Sequence, residues 1–400
     1  MLVVKKFGGT SVGNTQRIKN VANRIAKEYR AGNDVIVILS AMDQTTDELW
    51  SLARELNENP PKREVDALLS TGEQTSVALM AMALAAMSIP AISLNAFQVA
   101  MHTTEVHTNA RLLKIDTRRI EHELESKKVV LVTGFQGVDK YGDVTTIGRG
   151  GSDTTAVAIA AAMHADCCEI YTDVDGVYTA DPRIVPGAVK EKEITYDEML
   201  ELASIGAQVL HNRSVEMAKK YGVTLVVRSS LNESEGTQVK EVTSVESMLV
   251  SGVAADKNTA RITVTGVEDA PGSEYKIFDA LANNSINVEA ILQTAARDGK
   301  KDVSILVSRD CLERGVSVLK EHQARFKAQD IEVDEHIAKV SIVGASIQSN
   351  PGVASAMFEA LYNAGINIKM TATNELRITV IVDEDEMEKA VRVVHAALIE

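Results

Sequence analysis

The chain has 400 residues, with 42 Lys and Arg against 56 Asp and Glu and a net charge of −14. That balance excludes a surface for nucleic acid or an anionic membrane, both of which need clustered cations. The length exceeds one hydrophobic core and implies two or three domains of ~100–200 residues each, and 45% hydrophobic residues exclude disorder. Only 4% of residues are aromatic, too few for broad base-stacking platforms. Cys167 and Cys168 are neighbours and Cys311 stands alone. That pattern supports neither a disulfide framework nor a thiolate zinc site, and fits a reducing, cytoplasmic compartment. The N-terminus does not read as a signal peptide. The apolar run Val77–Met87 is short of the ~20 residues that span a bilayer and reads as a buried helix.

In chain order, strands are expected at Leu2–Phe7, Val35–Leu39, Ala91–Leu94, Val129–Thr133, Glu169–Thr172 and Thr224–Arg228. Helices are expected between them at Thr15–Ala31, Asp47–Leu56, Thr75–Met87, Asp116–Ser126, Thr154–Ala165, Tyr196–Leu202 and Arg213–Tyr221. This alternation predicts an α/β domain, three-layered, on a mostly parallel sheet. The run from Val35 to Leu39 suits a strand covered on both faces. The polar stretch Asn232–Val245 is the expected linker. Beyond it, Pro271-Gly272 and Phe278 recur as Pro351-Gly352 and Phe358, in register and without a gap. Each copy has a strand before it (Ala260–Val267, Lys339–Val343), a strand pair after it and a closing helix (Cys311–Phe326, Glu384–Leu398). Each therefore reads as a ferredoxin-like βαββαβ module. The expected domains are 1–245, 246–338 and 339–400.

Three glycine-bearing segments stand where chemistry is expected. Lys6-Phe7-Gly8-Gly9-Thr10-Ser11 ends the first strand. Its exposed amides and lysine suit a phosphate, and a tight strand-to-helix turn is the other reading. Gly148-Arg149-Gly150-Gly151-Ser152-Asp153 opens the Ala-rich helix, with Ser152 or Asp153 as the expected N-cap. There a helix mouth and a guanidinium favour an anion. The segment from Thr172-Asp173 through Tyr178 to Arg183 follows another strand, where α/β proteins bind ligands. It lacks the closing glutamate of a calcium loop. Ser40 and Thr45 follow the second strand, and Glu73 is expected in the first turn of the apolar helix. His102 and His107 read as a solvated pair, and no metal-ligand set is assigned.

The combination KFGGTSV, SAM with TTDEL, STGE, VTGFQG, GRGGSDTTA and TDVDGVYTADPR, in this order over the whole chain, resembles the aspartokinases of the amino-acid kinase family. The repeats are similar to that family's tandem ACT domains. The resemblance implies ATP-dependent phosphorylation of the aspartate side-chain carboxylate, with ATP and Mg²⁺, as the first step toward lysine, threonine and methionine. It implies that Lys6, Arg149 and Asp153 are catalytic. ATP would lie on Lys6, Phe7, Gly8 and Gly9, on Thr172, Asp173 and Tyr178, and on Thr179, Ala180, Asp181, Pro182 and Arg183. Gln208 also belongs to that set, at a position where family members often carry lysine. Aspartate would lie among Ser40, Thr45, Glu73, Arg149, Gly150, Gly151 and Ser152.

Feedback inhibition by lysine, threonine or both is implied at the repeats. The first copy would use Asp269, Ala270, Pro271, Gly272, Ser273 and Glu274, then Asn287, Val288, Glu289 and Gln293. The second would use Val353, Ala354, Asn367, Ile368, Asn374 and Glu375. A homo-oligomer through these modules is expected, and Met248 is a candidate start for a separately translated regulatory subunit. A chain closing on the second repeat suits a monofunctional enzyme. The alternative is a catalytically weak amino-acid sensor of the same fold.

Overall fold

The structure, a computed structural model, describes residues 1–206, 209–242, 249–345, 347 and 350–399. The chain forms two compact units. The first holds Met1–Tyr178, Lys190–Ala203 and residues 209–242; the second holds Thr179–Val189, residues 204–206 and the chain from 249 onward.

The first unit begins β1 (Leu2–Phe7), α1 (Thr15–Arg30), β2 (Asp34–Leu39), α2 (Thr45–Leu56), α3 (Lys62–Ala86) and β3 (Ala91–Leu94). It continues with β4 (Met101–Thr103), β5 (Leu112–Ile115), α4 (Arg118–Glu125), β6 (Val129–Thr133), β7 (Gln136–Val138), β8 (Val144–Thr146), α5 (Gly151–Ala162) and β9 (Cys167–Thr172). It closes with β10 (Glu193–Thr195), α6 (Tyr196–Ser204), α7 (Asn212–Tyr221), β11 (Leu225–Ser229) and β12 (Thr237–Lys240). Eight strands form one sheet in the order β10-β12-β11-β9-β1-β2-β6-β3, and only the β11–β12 pair is antiparallel. The expected linker is in part this sheet, because Thr237–Lys240 is β12.

α1 buries Ile18, Val21, Ala22, Ile25 and Ala26, a stripe at helical spacing, and the side chain of Asn14 caps it by accepting from Arg17 N. That stripe packs with Phe7, Val35, Val37 and Leu39 of the strands and with Val77, Met80 and Leu84 of α3. The helix expected from Thr75 in fact starts at Lys62, behind Pro60-Pro61, so Glu73 sits in mid-helix rather than in a first turn. A second sheet, β5-β4-β7-β8, has strands of three or four residues. It was not expected, because such short strands show no periodicity.

Alternation along β1 sends Lys5 and Lys6 to opposite faces. Lys5 is buried and pairs with Glu28 at 2.8 Å and with Glu169, which Arg228 also meets at 3.1 Å. Burial alone would push the Lys5 pKa down, but Tyr171 and Glu169 outweigh it and hold Lys5 well above its usual value. Lys5→Met should cost up to about 3 kcal/mol, since buried Glu169 then keeps only the partly exposed Arg228 as its cation. Denaturant unfolding checks this, and an unchanged midpoint would show that the cluster contributes nothing.

The second unit contains β13 (Gly252–Asp256), β14 (Ala260–Glu268), α8 (Ser273–Asn283), β15 (Ala290–Gln293), β16 (Lys300–Val307), α9 (Leu312–Phe326) and β17 (Asp330–Asp334). The rest is β18 (Ile337–Val343), α10 (Pro351–Asn363), β19 (Met370–Thr373), β20 (Arg377–Asp383) and α11 (Met387–Leu398). Two antiparallel sheets result, β15-β16-β14-β17 and β13-β18-β20-β19. The first repeat is βαββαβ as expected. The second ends on its helix, and β13 supplies the strand it lacks, pairing Gly252 with Val343 through Asp256 with Lys339. Gly252–Asp256 thus belongs to the second module, although the expected boundary of 246–338 placed it in the first. Pairing with β18 buries backbone that sequence order cannot assign. Leu306 of β16 packs with Ile337, Met370 and Ile381, so the two sheets meet through their helix-free faces. Lys339 ties them further, to Glu289 at 2.5 Å and Asp256 at 3.2 Å. Among the described residues no helix is long and apolar enough to cross a membrane.

Candidate active site

Four parallel strands of the first unit end along one rim of the large sheet. Gly8-Gly9 follows β1, Ser40-Ala41 follows β2, Gly134-Phe135 follows β6, and Asp173 follows Thr172 at the end of β9. Carboxyl ends of parallel strands are where α/β folds hold ligands. A cleft of about 990 Å³ opens there. Of the expected residues, Gly9, Ser40, Glu73, Arg149, Gly150 and Ser152 line it.

Local chain geometry explains their convergence. A Cβ on Gly9 would stand 2.8 Å from the Ala41 carbonyl oxygen, so only glycine lets the two loops touch. Gly150, not Ser152 or Asp153, caps α5, in a left-handed conformation (φ +69°). A side chain there would also strike the His211 ring. This turn leaves Arg149 exposed at the cleft. Behind it, Lys6 Nζ meets Asp153 Oδ1 at 2.6 Å, with both side chains largely buried. The Gly8 backbone lies against this amine, since a Cβ there would meet Lys6 Nζ at an ordinary contact distance of 3.4 Å.

Glu73 is 3% exposed. Its Oε1 accepts from Ala41 N (3.2 Å) and its Oε2 from Gln136 Nε2 (3.1 Å). Burial pushes its carboxyl up to about 7, against the pull of these two donors. Asp66, fully buried about two turns before Glu73 on α3, accepts from Thr146 Oγ1 (2.6 Å), from Thr108 N and from His107 Nδ1 (2.9 Å). His107 is thus bonded rather than a solvated partner of His102, and Asp66 fixes the cleft-lining Thr108 and Thr146. Sequence reading missed Asp43, Trp50 and Arg54 of this wall, and Asp66 and Gln136 behind it. VTGFQG was a visible signal for Gln136, whereas Asp66 carried none.

Other expected residues lie differently. Thr45 Oγ1 donates to Met42 O at 2.6 Å, and Gly151 packs under Phe135. The Phe7 side chain is buried and stacked on Tyr171, so only its main chain can face a ligand. Thr172 Oγ1 donates to Asp173 Oδ1, and the Tyr178 hydroxyl to Asp175 Oδ1 at 2.8 Å, both outside the cleft lining. Thr179 and Ala180 are buried in the second unit, where Thr179 Oγ1 meets His395 Nε2. Asp181, ahead of Pro182, is bonded by Arg183, which holds its carboxyl below the usual range. These five do not belong to the first unit, which moves part of the expected 1–245 domain. Gln208 and Met248 lie outside the described residues.

In the second unit, Lys301 pairs with both Asp269 (2.8 Å) and Glu274, so a ligand amine there competes with an internal one. Gly272 caps α8 at φ +89°, after Ala270-Pro271 and ahead of buried Ser273. Asn287 and Asn367 are exposed just before β15 and β19, while Val288 and Ile368 pack inward. Val353 and Ala354 join the module core, which leaves only their backbone for a ligand. Gln293 ends β15, exposed, and Asn374-Glu375 form the β19–β20 turn.

A three-layer sheet with this glycine-framed, two-cation rim and paired ferredoxin-like modules defines an amino acid kinase carrying ACT domains. The amino acid kinase family matches residues 1–229, and the ACT domain matches residues 262–323 and 340–398. An aspartokinase of Bacillus sp. (strain MGA3) is 50% identical over 99% of this chain and 97% of its own length. An aspartate kinase of Pseudomonas putida is 47% identical over the same shares. The structure of E. coli aspartokinase III in complex with aspartate and ADP (R-state) superposes over the whole of both chains, with TM-score 0.84 and 26% identity. The chain belongs to the aspartokinases, and it is an enzyme that phosphorylates the side-chain carboxylate of aspartate with ATP.

Proposed function

We propose that Arg149 grips the α-carboxylate of aspartate, that Glu73 receives its ammonium, and that Ser40, Thr45, Gly150, Gly151 and Ser152 close around it. Lys6, held by Asp153, meets the transferring phosphoryl group, and the Gly8 and Gly9 amides wrap the phosphates. The observation that carries this reading is the placement of buried Glu73 and exposed Arg149 in a single cleft beside the Lys6–Asp153 pair. The acceptor carboxylate is already ionised near pH 7, so the chain needs to position groups and neutralise charge rather than supply a base. The donor set suits Mg²⁺ carried on the triphosphate, with Asp153 as the carboxylate beside it, supplying charge neutralisation. Trapping the acyl phosphate with hydroxylamine, with aspartate or glutamate and ATP, tests the assignment; product from glutamate at the aspartate rate would overturn it.

The raised Glu73 carboxyl has a sign. Below its value of about 7 the group is neutral and cannot pair with ammonium. kcat/KM for aspartate should therefore fall about tenfold per pH unit below pH 7, and aspartate binding should release a proton. A profile flat down to pH 5.5 would show that Glu73 does not receive the ammonium.

Lysine, threonine or both act at the ACT pair in this reading. E. coli aspartokinase III, 26% identical, has been solved with lysine and aspartate in its T-state. Gln293→Ala or Asn374→Ala should relieve inhibition while kcat without effector stays put, since an effector acts only through unequal affinity for two states. Inhibition curves that superimpose on wild type would place the effector elsewhere. The edge strand β15 exposes Ile291 and Leu292, which suits self-association through these modules. The three free cysteines, with Cys168 buried and its thiol pushed up, suit a reducing cytoplasm.

A further inference from the structure

We infer that Gln136 is a positioning residue for aspartate: its buried amide, fixed between the Ser70 carbonyl and the Glu73 carboxylate, holds Glu73 in its ionised, cleft-facing form. This rests on the reading of Glu73 as the ammonium acceptor.

Gln136 is 1% exposed on β7, opposite Thr146 of β8. Its Nε2 donates to Ser70 O at 2.6 Å and to Glu73 Oε2 at 3.1 Å. Both partners are acceptors when Glu73 is ionised, so the network fixes which end of the amide faces them. The two hydrogens of the nitrogen are then used, and the side chain has no other donor to offer. Glu73 Oε1 takes the Ala41 amide. Each oxygen of Glu73 thus has one neutral donor, and no Lys or Arg among the described residues pairs with it. The charged groups that line the cleft are Asp43, Asp47, Arg54, Glu55 and Arg149. On α3 itself, Asp66 is already engaged by His107, Thr108 and Thr146.

The neutrality of the donor matters. A cation at this place would cancel the Glu73 charge and compete with the substrate's ammonium. An apolar side chain would leave a carboxylate at 3% exposure to take up a proton, because burial penalises the charged form. An amide stabilises the anion and leaves its charge for the ligand.

The test is the pH profile of kcat/KM for L-aspartate and for ATP between pH 6 and 9, in wild type, Gln136→Met, Gln136→Glu and Glu73→Gln. In Gln136→Met, similar in length but with no donor, the acid limb for aspartate should move up by about one pH unit or more. Its plateau and the ATP profile should stay near wild type. In Gln136→Glu the limb should move further, since two carboxylates then share one site. An acid limb left at the wild-type position above a lowered plateau would mean that Gln136 serves packing alone, and would overturn the proposal. If Glu73→Gln binds aspartate like wild type, the reading of Glu73 falls and this inference with it. If Glu73→Gln loses aspartate while both Gln136 variants superimpose on wild type, Gln136 alone is wrongly assigned.

Discussion

Lys6→Ala should lower kcat by roughly 10²-fold or more, the scale of losing one preorganised contact to transition-state charge. Lys6 sits at the carboxyl end of the central strand, its amine 2.6 Å from Asp153 and against the Gly8-Gly9 loop. Two carboxylates of the substrate and a triphosphate repel one another, and this amine is the fixed cation that the strand end offers them. Removing it leaves Asp153 largely buried without its cation, so unfolding is followed alongside activity. Near-wild-type kcat in a folded protein would remove Lys6 from the transfer step.

Arg149→Lys should raise KM for aspartate about tenfold to a hundredfold and leave KM for ATP nearly unchanged. The charge survives, but the planar fork that meets a carboxylate with two parallel bonds does not. Left-handed Gly150 directly follows it at the mouth of α5. Movement of the ATP value without the aspartate value would assign Arg149 to the nucleotide.

What the sequence made legible follows from range. β2 and β6 fall on their β-branched runs, because a strand buried on both faces is apolar almost without interruption. The glycine turns were readable because they need no partner to be recognised. Glu73 was placed at a helix start because the polar first turns of α3 hide its true beginning at Lys62. Asp66 and Gln136 acquire meaning only from Thr146 and Glu73, which lie 80 and 63 positions away in the chain. No local pattern encodes such pairs. The same applies to Thr179 and Ala180, which the resemblance places among the nucleotide contacts and which are buried within the other unit.

The borrowed strand β13 makes the two C-terminal modules inseparable by any single cut. It leaves the ribosome before the first module, yet its partner β18 follows that module, so the second sheet cannot close until the first has been made and bypassed. A nick between β17 and β18 would leave the fragments still laced together, and a peptide beginning after Asp256 would present β18 with a bare edge. The pair should therefore melt in one transition rather than two, and a perturbation at either module is felt by the other through shared backbone as well as through side chains.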